Sequence, residues 1–155
     1  IYAPYVRPGT GTCEEEAPDE ADFAARLARV QARGWAWLVA EHEGQVQGYA
    51  YYAQFRDRSA YRFTAEDSIY VRDDVRGMGV GKALVQALLD RAAAQGFRQM
   101  LAVIGDSENV GSIGLHASLG FRTVGTMKAV GLKFGQWVDV VTMQRALGEG
   151  ERSLP

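Results

Sequence analysis

The run Val75-Arg76-Gly77-Met78-Gly79-Val80-Gly81-Lys82 carries the sharpest chemical signal in the chain. Three alternating glycines leave the main chain bare, and a cation stands at each side of them. Upstream, residues 63–71 have the composition of a strand; downstream, Val80, Leu84, Val85, Leu88 and Ala92 recur with helical period. The run is therefore a strand-to-helix corner. The first N–H groups of a helix lack intrahelical partners and carry about half a positive charge, so such a corner suits a diphosphate, with Arg76 and Lys82 as cationic partners. Spacing narrows the ligand. A P-loop needs four residues between its glycines and Ser or Thr after the lysine, whereas three residues separate Gly77 from Gly81 and Ala83 follows Lys82. A dinucleotide fingerprint needs Gly-x-Gly-x-x-Gly after the first strand of a βαβ unit, and this run is Gly-x-Gly-x-Gly in mid-chain.

A second polar cluster is Gln54-Phe55-Arg56-Asp57-Arg58-Ser59-Ala60-Tyr61. Arg56 and Arg58 share a face if the segment is extended, and paired guanidiniums suit a planar carboxylate or a tetrahedral oxyanion. The alternative is two solvated loop arginines. Glu14, Glu15 and Glu16 form a solvated charge run, or one of them meets a substrate ammonium.

The elements around these groups follow from periodicity. Phe23, Leu27 and Val30 predict a helix over 19–33, opened by Pro18-Asp19 and stopped by Gly34. Residues 35–41 and 45–55 predict an antiparallel hairpin across Glu43-Gly44, and 63–71 a third strand. The helix after the glycine run stops at Gly96. The apolar stretch 100–104 predicts a buried strand, which completes a βαβ unit. Residues 112–119 predict a short helix ended by Gly120, then 121–132 and 137–146 two closing strands around Phe134-Gly135-Gln136.

Composition bounds the function. The 155 residues fit one domain, and 47% hydrophobic with 23% charged residues is enough for a packed core. A net charge of −2 and a pI of about 5.7 provide no excess of cations for nucleic acid or an anionic membrane. One cysteine, Cys13, excludes an intrachain disulfide, and with two histidines no metal centre is expected. No apolar stretch reaches the length of a membrane span and no basic-then-apolar leader is present, which suits a soluble protein in a reducing, cytoplasmic setting. The chain opens on Ile1 rather than methionine.

Arg76, Gly79 and Gly81 fit the Arg/Gln-x-x-Gly-x-Gly/Ala pattern of the GCN5-related N-acetyltransferases, which this chain resembles. Asn109-Val110-Gly111-Ser112-Ile113-Gly114-Leu115-His116-Ala117-Ser118-Leu119-Gly120-Phe121 resembles the second motif of that family, an Asn followed by a short helix ending in Leu-Gly-Phe. Within the family, Thr64-Ala65-Glu66-Asp67-Ser68-Ile69-Tyr70-Val71, Ala102-Val103-Ile104-Gly105-Asp106 and the stretch 131–139 resemble the phosphinothricin and methionine sulfoximine acetyltransferases.

The resemblance implies a single α/β (α+β) domain over 1–147. It has a mixed, mostly antiparallel sheet splayed at the acetyl-CoA site and flanked by helices, with a polar tail over 148–155. Family members begin with a further strand and the start of a helix, which would precede Ile1. It implies acetyl-CoA as co-substrate, with pantetheine along Ile69, Tyr70 and Val71. The diphosphate would lie on the amides of Arg76, Gly77, Met78, Gly79, Val80, Gly81 and Lys82. Asn109 would face the pantetheine, with Ser112 and Ser118 as lesser contacts. Glu66 stands where relatives place a general base, with Asp67 as the fallback; the alternative is a solvated glutamate. His116 replaces a tyrosine that protonates the departing thiolate, or else it is a packed core residue. Arg56, Arg58 and Tyr61 resemble residues that clasp the amino acid. Gly105 and Cys13 would line its pocket, Cys13 widening it where relatives carry an aromatic. Lys133, Trp137 and Asp139 would shape the pocket or the seam of a homodimer. The implied reaction is acetylation of the α-amine of a small amino acid or analogue. The rivals are another amine (aminoglycoside, protein N-terminus or lysine) and a CoA-binding domain without turnover.

Overall fold

The computed structural model describes residues 1–7 and 9–155. The strands are β1 (Trp37–His42), β2 (Gln45–Gln54), β3 (Thr64–Val71), β4 (Gln99–Gly105), β5 (Arg122–Lys133) and β6 (Gln136–Ala146). They form one sheet in the order β1-β2-β3-β4-β6-β5, in which, among the described residues, only β3 and β4 run parallel. The helices are α1 (Ala3–Val6), α2 (Glu20–Ala32), α3 (Val80–Ala94) and α4 (Val110–Ser118). The expected mixed, mostly antiparallel sheet is borne out, as is the βαβ unit, which is β3-α3-β4.

Local chemistry accounts for the boundaries. Asp19 caps α2, its carboxylate accepting from the Asp22 amide at 2.8 Å. At the end of α3, Gly96 takes φ +87°, a left-handed turn that glycine adopts without steric cost. The shorter α4 begins earlier than periodicity predicts, because Asn109 caps it: its side-chain oxygen accepts from the Ser112 amide at 3.2 Å.

Alternation along the strands divides the core between two faces. Ala50 and Tyr52 of β2 are fully buried beneath α3, against Leu84, Val85, Leu88, Leu89 and Ala92. Each fully buried leucine there stabilises by about 1.5–3 kcal/mol. On the opposite face Tyr49 and Tyr70 pack against Tyr2 and Phe23 of the α1 and α2 side, with Trp37 stacked on Tyr51 at 4.3 Å. After β6, the chain turns at Gly150, whose amide donates to Leu147, and Arg98 reaches Ser153 Oγ at 3.3 Å.

One irregularity positions the site. The ladder between β3 and β4 runs from Thr64/Gln99 to Asp67/Ala102 and stops, while β4 continues beside β6 to Gly105/Val140. The two parallel strands diverge from Asp67 onward and open a V toward their C-terminal ends.

Candidate active site

The V is the base of a cleft of about 980 Å³, bounded by the glycine turn, the start of α4 and the loop 9–13. It brings together Glu66, Ile69, Tyr70, Val71, Arg76, Gly77, Gly79, Gly81, Lys82, Gly105, Asn109, Ser112, His116 and Cys13. The Met78 and Val80 side chains lie on the other side of the turn, beside Gln47 and Arg72, and Met78 is 73% exposed. Ser118 is exposed, its hydroxyl donating back to the Leu115 carbonyl at 2.7 Å, and it does not reach the cleft.

At the glycine turn, two of the main-chain amides expected to face a diphosphate are already engaged. Arg76 N–H donates to Asp73 and Met78 N–H to Val75, both at 3.3 Å. The amides of Gly77, Gly79 and the first turn of α3, Val80, Gly81 and Lys82, precede the first helical bond, from Ala83 N–H to Gly79. Gly79 sits at φ +86° as the N-cap residue. Gly81 has a different reason: a Cβ there would meet Leu115 Cδ2 at 3.3 Å, so its absence lets α3 pack close to α4. The Arg76 guanidinium pairs with Asp73 at 2.7 Å and lies 4.9 Å over the Tyr5 ring.

The strand edge is partly taken as well. Tyr5 Oη donates to the Val71 carbonyl at 2.6 Å and accepts from the Val71 amide at 3.1 Å. Alternate residues of a strand turn their polar groups to the same side, so Ile69 presents its own N–H and C=O to the cleft and Tyr70 bonds toward β2. Asn109 is likewise shared: its oxygen caps α4 and its Nδ2 reaches the Gly105 carbonyl at 3.5 Å.

Glu66 and Asp67 are consecutive on β3 and point to opposite faces. Glu66 faces the α1 side, half-buried in the cleft. Burial first, and then the neighbouring Asp67 charge, push its pKa up to about 7, with Arg56 pulling the other way. Asp67 faces α4 and is 6% exposed, its Oδ2 3.1 Å from His116 Nε2. His116, 1% exposed, has Nδ1 2.8 Å from the Ser112 carbonyl and stands edge-on to Phe121. Burial lowers the imidazole pKa, but the Asp67 hydrogen bond and charge, with the Ser112 carbonyl, outweigh it and the net shift is upward. Both ring nitrogens thus lie within hydrogen-bond distance of an acceptor, and His116 stands buried at the floor of the cleft.

The arginine pair is not where an extended segment would put it. Arg58 N–H donates to the Arg56 carbonyl at 2.8 Å and the chain then coils through Ser59–Tyr61, so the two-residue alternation does not apply. Arg56 lies 5.0 Å over the Phe55 ring, Tyr61 stands edge-on to that ring, and none of Arg56, Arg58 and Tyr61 lines the cleft. Of the three, Arg56 acts on it through its charge on Glu66. Gly105 lines the cleft and serves packing: a Cβ would fall 2.7 Å from the Thr10 carbonyl. A glycine ending a buried strand signals such a close approach. Tyr5 carried no local signal, since its partner is 66 positions away.

The residues that bound this cleft fit a CoA-type ligand, with bare amides at one end and an open strand edge along the middle. The model of the Acetyltransferase (GNAT) family matches residues 5–121. The chain belongs to the GNAT acetyltransferase family. It is 49% identical over 155 residues to a phosphinothricin N-acetyltransferase of Alcaligenes faecalis, covering all of this chain and 79% of that protein. It is also 49% identical over 138 residues to an L-methionine sulfoximine/L-methionine sulfone acetyltransferase of Pseudomonas paraeruginosa, covering 86% of this chain and 79% of the other. Among solved structures, a GNAT superfamily phosphinothricin acetyltransferase from Sinorhizobium meliloti, in complex with AcCoA, superposes with a TM-score of 0.96 at 49% identity. That alignment covers 100% of this chain and 84% of that one. Among the described residues no three His, Cys, Asp or Glu side chains gather as a metal site, and no helix is long and apolar enough to cross a membrane.

Proposed function

We propose that this GNAT enzyme acetylates the α-amine of a small amino acid or amino-acid analogue of the phosphinothricin or methionine sulfoximine type, with acetyl-CoA as donor. The observation that carries this is the placement of a half-buried carboxylate, Glu66, where β3 and β4 part, in the same cleft as the free amides of the glycine turn. When bound, acetyl-CoA supplies an activated thioester.

The protein's own groups do the rest. The amides of Gly77, Gly79, Val80, Gly81 and Lys82 hold the diphosphate, with the Lys82 ammonium beside them, and Ile69 offers the strand edge. Glu66 takes the proton of the amine, directly or through one water, and a pKa near neutrality suits that task. Peptide α-amines titrate at about 7.7–8.0 and the α-amine of a free amino acid higher, so deprotonation costs about 1 kcal/mol or more, and orientation, which supplies roughly 7–11 kcal/mol, is the larger contribution. The His116–Asp67 pair holds α4 to β3, and the Asp67 carboxylate lies beside Glu66. Arg56 balances that charge and tunes the acceptor end.

The long β5–β6 hairpin leaves Met127, Val130, Leu132 and Trp137 more than half exposed. Such a row of large apolar side chains supports a homodimer formed through this hairpin, which sedimentation would test. A reducing cytoplasm suits the exposed thiol of Cys13, and detoxification of amino-acid analogues is the biological role we assign. The decisive assay is thiol release from acetyl-CoA with phosphinothricin, methionine sulfoximine, methionine sulfone and the ordinary amino acids. Turnover with one of these at a low KM is the expected result; turnover only with aminoglycosides or peptides would overturn the assignment.

A further inference from the structure

The loop 9–12 reads Gly9-Thr10-Gly11-Thr12, a composition with little intrinsic stiffness. Yet it forms a wall of the cleft on the Glu66 side, and its placement is heavily determined. Thr10 donates to Asp106, and the absence of a Cβ at Gly105 lets the Thr10 carbonyl approach β4. Tyr2 Oη lies 3.0 Å from Thr12 Oγ1. The remaining tie comes from far along the chain. Lys133, the last residue of β5, is 3% exposed, and its Nζ donates to the carbonyls of Gly9 at 2.6 Å and Thr12 at 2.8 Å.

Lys133 is an unusual residue to bury. Among the described residues no carboxylate comes within ion-pair distance of its Nζ, and the Phe134 ring lies 5.1 Å from it. Taking an ammonium out of water without a direct ion-pair partner is costly, the Glu14 and Glu15 charges acting on it only from farther off, and a methionine would fill similar space without that cost. The two carbonyls it holds bracket the loop at its start and end, and Cys13, which lines the cleft, follows directly. The β5–β6 hairpin is thereby coupled to the wall that faces Glu66.

We propose that Lys133 is a positioning residue for the amine acceptor: its ammonium clamps the loop 9–12 from behind and so sets the shape of the acceptor side of the cleft. This rests on the acetyltransferase reading above. The clamp lies on the loop and away from the glycine turn, so its loss acts on the acceptor and spares the donor. The test is Lys133→Met, read in two ways. In steady-state kinetics the KM of the amine is expected to rise about tenfold or more, the scale of lost hydrogen bonds to a charged group, with the KM of acetyl-CoA within about twofold. In hydrogen exchange without any substrate, peptides spanning 5–16 are expected to lose protection while those of β6 keep it. Equal rises in both KM values, an unchanged amine KM, or loss of protection throughout the chain would each overturn the clamp. If the wild-type protein acetylates no amine, the functional reading fails on its own. The exchange experiment then decides the clamp alone: selective loss over 5–16 upholds it, and unchanged protection there refutes it.

Discussion

The two ends of the cleft are built from different materials. The donor end is main chain: bare amides of a glycine turn, where geometry depends on φ values that few residues adopt. The acceptor end is side chain: Glu66 on one face of β3, the Asp67–His116 pair on the other, and a glycine-threonine loop held by Lys133 and Asp106. A main-chain site binds the invariant part of a ligand through contacts that substitution hardly alters. A side-chain site can be retuned residue by residue, which suits the part of the reaction where substrates differ.

The largest effect should come from the acceptor end. Glu66→Gln removes the base while keeping the shape, and kcat should fall about 100-fold or more with acetyl-CoA affinity unchanged by calorimetry, in line with general-base contributions. Equal losses at both ends would erase the distinction. Next is His116→Ala, which leaves the Asp67 carboxylate buried without its partner. Breaking such a pair destabilises by about 3–5 kcal/mol, so thermal unfolding should drop by roughly 10 °C. An unchanged Tm with kcat abolished would instead make His116 the proton donor to the thiolate. Smaller still is Gly79→Ala. Strain at φ +86° should disturb the amides and raise the KM of acetyl-CoA about tenfold, with the amine KM unaffected.

The same division governs what the sequence makes legible. The donor end follows from local rules: the glycine spacing, the helical period of α3 and the stop at Gly96 all operate within a few residues. The pairs β1–β2, β3–β4 and β5–β6 follow from one βαβ unit and two hairpins, whereas the placement of β6 rather than β5 beside β4 does not. The acceptor end depends on contacts across long sequence separations. Tyr5 meets Val71, Asp67 meets His116, and Lys133 meets Gly9, and no window of the chain contains both partners. Arg56 and Arg58 show the converse: residues two apart share a face only in extended chain, and this segment turns where Arg58 N–H donates to the Arg56 carbonyl and again through Ser59–Tyr61. His116 sits where the family motif puts it, but its partner Asp67 lies 49 positions away, and alternation along β3 says only that Asp67 and Glu66 point to opposite faces.

We propose that Glu66 serves as base near neutral pH because burial and the Asp67 charge beside it raise its pKa, with Arg56 opposing. The base works when deprotonated, so kcat/KM for the amine should fall as pH drops through about 7. Asp67→Asn removes one of the two causes and should carry that acid limb to lower pH. The direct measurement is the pH profile of kcat/KM for the wild type and this variant side by side. A limb near 7 that moves downward on substitution is the result expected here; a limb at the same pH in both proteins would contradict it.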